Sequence, residues 1–166
     1  MIKIGDRLPD ATLTESTEFG EACPVSPSKN SAVELAKGKR IVVFGLPGAF
    51  TPTCSTKHLP GFVQHLDDFK ARGIDVACMA VNDAFVMDAW AKQQNVPEHG
   101  IAMLADGNGA LTDALGMEMD GSAFGLGKRS KRFALYAEDG IVKQLFIEAP
   151  GEFKVSSAEH VLSALA

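Results

Sequence analysis

The chain has 166 residues, of which 46% are hydrophobic and 22% are charged, and its formal net charge is -5. This length predicts one globular domain over residues 1–166, and the composition is too apolar for a disordered chain. The mild acidity argues against a nucleic-acid partner or an anionic membrane surface. The longest uncharged stretch, 41–56, is interrupted by glycine and proline. It is also shorter than the ~20 residues of a membrane span.

Apolar and β-branched runs predict five strands, at 41–46, 74–81, 101–104, 132–136 and 141–147. Helical spacing and capping residues predict four helices, at 51–73, 82–90, 110–115 and 156–165. The last two strands flank an Asp-Gly dipeptide, which is typical of a hairpin turn. Strands that alternate with helices in this way predict an α/β fold, with a central mixed β-sheet and helices on both faces.

Three local features refine this order. Segment 14–30 is rich in turn-forming residues without a period, so we expect a surface excursion there. Pro60 lies inside the first predicted helix and lacks a backbone donor, which predicts a kink. The next helix is expected to bury a face that includes Phe85, Val86, Ala89 and Trp90.

The cysteines are the first candidates for reactive groups. Cys23, Cys54 and Cys78 cannot all pair within one chain, and they are too few for a disulfide framework. The beginning of the chain also lacks the apolar run of a secretory signal. We therefore expect reduced thiols in a cytoplasmic protein. Cys78 lies in a predicted buried strand and Cys23 in the loose segment, so neither has an obvious activating neighbour.

Cys54 occupies the third position of the first predicted helix. Unpaired backbone N–H groups and the helix macrodipole there stabilise the thiolate, which is the nucleophilic form of cysteine. Thr51, the predicted N-cap, carries a hydroxyl that can reach the sulfur. The same position also suits a small buried side chain without chemistry, because free cysteine is commonly buried.

His58 lies four residues after Cys54 and therefore on the same helix face. Such a pair fits a hydrolase nucleophile with its base, or half of a zinc site. The other histidines are scattered, so they complete no second ligand pair, and a hydrolase base usually comes from a distant segment. We therefore expect no metal, and we expect His58 to orient a neighbour or to form a surface hydrogen bond.

Four cations cluster before the fourth predicted strand. Lys128, Arg129 and Lys131 fit a solvated loop, because a short run of this kind in an acidic protein is weak support for nucleic-acid binding. Arg132 opens the strand itself, where its guanidinium can lie over the end of the sheet. Sequence spacing alone does not place it beside Cys54.

Residues 44–55, FGLPGAFTPTCS, resemble the active-site stretch of the peroxiredoxins, in the atypical (type II) subfamily. The family pattern Pro-x-x-x-Thr-x-x-Cys is matched by Pro47, Thr51 and Cys54. Similarity continues through the motifs HLPGF, VNDAF, KRF and DGIV and covers about 41–147. The resemblance implies a thioredoxin-like fold, in agreement with the order of elements above.

The resemblance also implies roles for individual residues. Cys54 corresponds to the peroxidatic cysteine, and Thr51 to the residue that hydrogen-bonds the thiolate and the peroxide. Arg132 corresponds to the cation that holds the thiolate charge and polarises the O–O bond, and Pro47 to the residue that shields the pocket from water. Three further positions are expected in the substrate pocket: Gly48, Thr53 and Phe124.

The implied activity is a thiol peroxidase that reduces hydrogen peroxide and alkyl hydroperoxides through a sulfenic acid, without a cofactor. Some members of the subfamily carry a resolving cysteine near the C-terminus. Here the corresponding stretch, 148–157, has none, and Ser156 falls close to that place. Cys54 is then regenerated by Cys78 or by an external thiol, and we expect glutathione with glutaredoxin, or thioredoxin. The subfamily commonly forms homodimers through the active-site face.

Two other functions stay open at this point. A protein disulfide oxidoreductase fits the order of elements, but Thr51 stands where the first cysteine of Cys-x-x-Cys is needed. A redox sensor, in which a sulfenic acid at Cys54 changes assembly, requires no turnover.

Overall fold

The computed structural model describes residues 1–15 and 28–166. The strands of this part of the chain are β1 (Thr12–Glu15), β2 (Ser28–Ser31), β3 (Arg40–Gly45), β4 (Ile74–Ala80), β5 (Ile101–Ala105), β6 (Glu118–Asp120), β7 (Lys128–Ser130), β8 (Phe133–Glu138) and β9 (Ile141–Ile147). Seven of them form one sheet in the order β2-β1-β5-β4-β3-β8-β9. The pairs β3–β4 and β4–β5 are parallel and the remaining pairs are antiparallel, so the sheet is mixed, as the sequence predicts.

Helices cover both faces of this sheet. Those of the described residues are α1 (Ala32–Ala36), α2 (Leu59–Gln64), α3 (Leu66–Ala71), α4 (Ala84–Gln93), α5 (Ala110–Leu115) and α6 (Ala158–Ala164). Val42 and Phe44 of β3 pack in one apolar cluster with α2, α3, α4 and α6. Ile41 and Val43 pack in a second cluster with α1 and α5. Because alternate residues of a strand point to opposite faces, these two clusters confirm the predicted arrangement.

The first predicted helix departs from a regular α-helix at two places. A π-helical turn spans Cys54–His58, with the N–H of Leu59 donating to the carbonyl of Cys54. A second break at His65 separates α2 from α3. Pro60 lies inside the continuous helical run 52–64, two residues after the π-helical turn, and it lacks the N–H that would bond to the preceding turn. The kink at Pro60 itself stays a prediction.

The buried face of α4 also differs from the predicted one. Its buried residues are Ala84, Met87 and Trp90, whereas Phe85 and Ala89 are exposed. The helix begins directly after Asp83, whose side chain accepts a hydrogen bond from the N–H of Val86. The three buried residues are spaced three positions apart, so they share one face of the helix.

The segment predicted to be a surface excursion contains strand pairing at both described ends. Residues of β1 and β2 pair in antiparallel register, with Thr14 opposite Lys29. Residues 16–27, which include Cys23, lie outside the described part of the chain. These two strands lack the apolar pattern from which a strand is predicted, because Leu13 is the one large apolar residue in them.

A second, smaller sheet lies beside the main one. It consists of β6 and β7, which pair antiparallel, and a 3-10 turn at Ser122–Phe124 lies between them. Among the described residues, none of the helices has the length and apolar character that crossing a membrane requires.

Candidate active site

Cys54 lies just beyond the carboxyl end of β3, in the π-helical turn. The strand ends at Gly45, and the exposed Phe50 takes a left-handed φ of 63° before the helical turns begin at Pro52. The Cys54 side chain is 0% exposed, and the thiol forms no disulfide.

Arg132 reaches this thiol from the neighbouring strand. Its Nη2 donates to Sγ of Cys54 at 3.2 Å. Strand β8 runs antiparallel to β3 with Phe133 opposite Gly45, so the residue before Phe133 lies at the end of β3 where the cysteine turn starts. Gly45 is required in this register, because a Cβ there would collide with the Phe133 ring. The pairing of β8 with β3 therefore brings Arg132 to the Cys54 thiol, a contact that sequence spacing alone does not predict.

His58 binds the second terminal nitrogen of the Arg132 guanidinium. Nη1 of Arg132 lies 2.9 Å from Nδ1 of His58, and Nε2 of His58 lies 3.0 Å from the carbonyl of Ser156. Burial, reinforced by the charge of Arg132, lowers the pKa of His58 to about 3. The ring is therefore neutral at physiological pH, with Nε2–H donating to Ser156 and Nδ1 accepting from Arg132. Of the two expected roles, orientation of a neighbour matches this geometry, and a surface hydrogen bond does not.

The loop before Cys54 is fixed by polar contacts. The Thr51 hydroxyl donates to the carbonyl of Gly48 at 2.7 Å, which leaves its oxygen lone pairs for other donors. Nη1 of Arg129 donates to the carbonyl of Pro47 at 3.2 Å, and its Nε donates to Leu126. The expectation of a solvated Arg129 was therefore wrong, because β7 brings this side chain over the loop. Lys128, in contrast, is exposed and pairs with Asp113.

A cavity of about 340 Å³ opens beside Arg132, and neither Cys54 nor Thr51 lines it. Its lining includes three residues expected at the site, Pro47, Thr53 and Arg132. The other lining residues are Met119, Lys131, Ile147, Glu148, Ala149, Pro150, Gly151 and Glu152. Two further expected pocket residues are not brought to it. Gly48 is buried against Arg129, and Phe124 is 84% exposed on the 3-10 turn.

Segment 148–156 packs against His58 and Arg132, a role that no local sequence signal predicted. The Phe153 ring packs against the His58 ring with centroids 5.1 Å apart. It also lies 5.8 Å from Cζ of Arg132, within the range of a cation–π contact.

Cys78 lies on β4, opposite Phe44 of β3, and is 0% exposed. Burial raises the pKa of the Cys78 thiol well above its usual value, and the neighbouring Cys54 raises it further. A thiol of this kind is protonated and therefore a poor nucleophile. Among the described residues, no group of three or more His, Cys, Asp or Glu side chains could hold a metal ion.

The arrangement combines a buried thiol, a guanidinium in contact with it, and a cavity that is lined in part by the same arginine. A cation beside the sulfur favours the thiolate over the thiol. The same cation can stabilise negative charge that moves from sulfur to a departing oxygen. The site is therefore suited to nucleophilic attack by sulfur on a group that leaves as an anion.

Known proteins share both the sequence and the fold. A profile of the redoxin family matches residues 3–162. Peroxiredoxin-2E-2 of Oryza sativa is 49% identical over 99% of this chain and 72% of that protein. A crystal structure of reduced Prx3 from Vibrio vulnificus in complex with hydrogen peroxide is 47% identical, covers 100% of both chains and has a TM-score of 0.91. A Burkholderia cenocepacia structure described as a putative thioredoxin reductase is 49% identical, covers 100% of this chain and 99% of its own, and has a TM-score of 0.93. Its description conflicts with the peroxiredoxin names of the other two, whereas its fold agrees with that of this chain.

Proposed function

We propose that Cys54 is the peroxidatic residue of this chain, which belongs to the redoxin family and, within it, to the peroxiredoxins. As a peroxiredoxin the chain is a thiol-dependent peroxidase, an antioxidant oxidoreductase with a thioredoxin-like fold. The assignment of the reacting thiol rests on one observation above all, the 3.2 Å contact between Nη2 of Arg132 and Sγ of Cys54.

In the proposed reaction the Cys54 thiolate attacks the terminal oxygen of a hydroperoxide. An S–O bond forms as the O–O bond breaks, so sulfur is oxidised to a sulfenic acid while the peroxide is reduced. The leaving hydroxide or alkoxide takes up a proton and departs as water or alcohol. Arg132, which donates to the sulfur, stabilises the charge that moves along the S–O–O line.

This proposal is tested with Cys54→Ser and Cys78→Ser variants in single-turnover reactions with hydrogen peroxide. We expect Cys54→Ser to lose peroxide reduction and Cys78→Ser to keep it, because the Cys78 thiol is buried and protonated. A Cys54→Ser protein that kept its rate would overturn the assignment.

We further propose that an external thiol regenerates Cys54: glutathione with glutaredoxin, or thioredoxin. The buried, protonated state of Cys78 supports this, as does the lack of cysteine in 148–157. The external thiol attacks the sulfenic sulfur and releases water, and a second thiol then cleaves the mixed disulfide. Both reductants belong to reducing compartments, so we also propose a cytoplasmic location.

The mass of the protein after one equivalent of peroxide separates the two routes. With an external reductant, the protein gains one oxygen and returns to its original mass only when that reductant is added. A loss of two hydrogens would instead indicate an internal disulfide and contradict the proposal. Peptide mapping assigns the oxygen to Cys54 and controls for oxidation of Cys23.

A second copy of the chain is the proposed structural partner. Phe50 and Phe124 are large aromatic side chains that are 51% and 84% exposed. Phe50 immediately precedes Thr51, and Phe124 lies in the turn before β7, the strand that contacts Pro47 through Arg129. Two exposed aromatics in segments that border the active site support a homodimer through this face.

A further inference from the structure

Glu148 is a buried carboxylate that the peroxidase reaction does not use directly. The residue is 7% exposed, and Oε2 accepts hydrogen bonds from the backbone N–H groups of Lys154, Val155 and Ser156 at 2.8–2.9 Å. The hydroxyl of Ser156 donates to the same oxygen at 2.7 Å. One side chain thus satisfies three successive backbone donors and folds segment 148–156 back on itself.

The carboxylate holds this segment in its ionised form. Burial by itself raises the pKa of Glu148, but the hydrogen bonds from Lys154, Ser156 and Val155 outweigh it, and the net pKa is lowered. Hydrogen bonds from N–H groups to an ionised carboxylate are about twice as strong as those between neutral groups. The fold of the segment therefore depends on the charge as well as on the size of this side chain.

The anchored segment contacts Arg132 from two directions. The backbone N–H of Glu148 donates to the carbonyl of Arg132 at 3.0 Å. The carbonyl of Ser156 accepts from the ring of His58, whose other nitrogen accepts from the guanidinium. The Phe153 ring packs on both of these side chains. The segment thus holds both the start of β8 and the charged end of the arginine.

We propose that Glu148 positions the guanidinium of Arg132 on the sulfur of Cys54. It acts through the carbonyl of Ser156 and the ring of His58, and it is a positioning residue because no contact joins it to the sulfur. This inference rests on the proposed role of Cys54. It matters for rate because a displacement of about 1 Å in a catalytic group can cost about 100-fold.

The test compares Glu148→Gln with a matched control, Asp106→Asn. Asp106 is also a buried carboxylate (2% exposed), and it accepts hydrogen bonds from the backbone N–H groups of Leu111 and Thr112 and from the Thr112 hydroxyl. It anchors the start of α5 and is not linked to the site by these contacts. Both substitutions remove a charge that organises backbone N–H groups, so both are expected to lower Tm.

The discriminating readout is the pH midpoint of thiolate formation at Cys54. It is followed by ultraviolet absorbance, with the same variant carrying Cys54→Ser as the blank. For Glu148→Gln we expect the midpoint to rise, because the guanidinium is held less firmly against the sulfur. The single-turnover rate with peroxide should fall with it, whereas Asp106→Asn should keep the midpoint. A Glu148→Gln protein with a lower Tm but an unchanged pH midpoint of thiolate formation would overturn the proposal.

Ser156→Ala provides a second, milder variant if Glu148→Gln does not fold. It removes one of the hydrogen bonds to the carboxylate while the Ser156 carbonyl is retained, so a smaller rise of the midpoint is expected. An unchanged midpoint in this variant would contradict the proposal. The thiolate titration reports on the geometry around Cys54 even if another thiol reacts with peroxide, so it distinguishes failure of this inference from failure of the proposed function.

Discussion

Nη2 of Arg132 lies 3.2 Å from Sγ of Cys54, although 78 positions separate the two residues in the chain. The contact arises because β3 and β8 are neighbours, with Gly45 and Phe133 opposite each other. Arg132 comes directly before Phe133, and Cys54 follows Gly45 after a short loop, so both lie at the same end of the paired strands.

The first prediction concerns this contact. Arg132→Lys keeps the charge, but a single ammonium cannot reproduce the fork that contacts sulfur and the His58 ring together. We expect kcat/KM for peroxide to fall by about 10²-fold, as for loss of a donor aimed at developing charge. Arg40→Lys is the control, since Arg40 bonds Tyr136 and the Arg72 carbonyl away from the site. A rate within twofold of the wild type for Arg132→Lys would contradict the proposed role.

Gly48 gives the second prediction. A Cβ at this position would collide with Nη1 of Arg129, so Gly48→Ala should displace the guanidinium from the Pro47 carbonyl. We expect a several-fold lower peroxidase rate and a lower Tm, because the loop before Thr51 loses a support.

The control for this substitution is Gly61→Ala. Nothing lies within 4 Å of a Cβ built at Gly61, which lies in α2. Alanine there should leave the rate unchanged and stabilise the helix by about 0.5–1 kcal/mol. Equal effects of the two substitutions on the rate would show that the contact with Arg129 is unimportant.

The third prediction is a pH dependence of stability set by His58. Its pKa is about 3 in the folded protein, against 6.5 for an unperturbed histidine. Between these values the unfolded state binds a proton that the folded state does not. The stabilisation is therefore complete above pH 6.5 and is lost as the pH falls toward 3, by on the order of 1 kcal/mol per pH unit.

Urea unfolding between pH 4 and pH 7 measures this dependence. His58→Gln keeps one acceptor and one donor but cannot take up the proton, so its stability should change less with pH than that of the wild type. His160→Gln replaces an exposed histidine and should behave as the wild type does. Identical pH profiles for His58→Gln and the wild type would show that His58 is not the titrating group.

The fourth prediction concerns assembly. Phe124→Glu and Phe50→Glu each place a charge on the face proposed to meet a second copy, so each should shift the protein from dimer to monomer in sedimentation experiments. Ile4→Glu is the control, because Ile4 is 62% exposed but lies near the beginning of the chain. A monomeric wild-type protein, or a dimer unaffected by both phenylalanine substitutions, would refute the proposed interface.

Local sequence signals were sufficient for much of the fold. The run 141–147 and the segment 110–115 match β9 and α5 residue for residue, because apolar patterning, Asp-Gly and the left-handed Gly116 are all local constraints. The predicted α/β order and the alternation of β3 residues between two apolar clusters agree for the same reason. Short polar strands such as β2 escaped prediction, since their pairing partners and not their own composition hold them in place.

The sequence by itself determined which thiol to examine, through Pro47, Thr51 and Cys54 in their spacing, and it placed Cys78 in a buried strand. Only the tertiary structure decided what surrounds that thiol. Arg132 arrives through the pairing of β8 with β3, and His58 is fixed by a carbonyl that Glu148 anchors from the C-terminal side. Such contacts join residues far apart in the chain, so they depend on strand register and on the burial that excludes water. Neither of these can be read from the residues next to the cysteine.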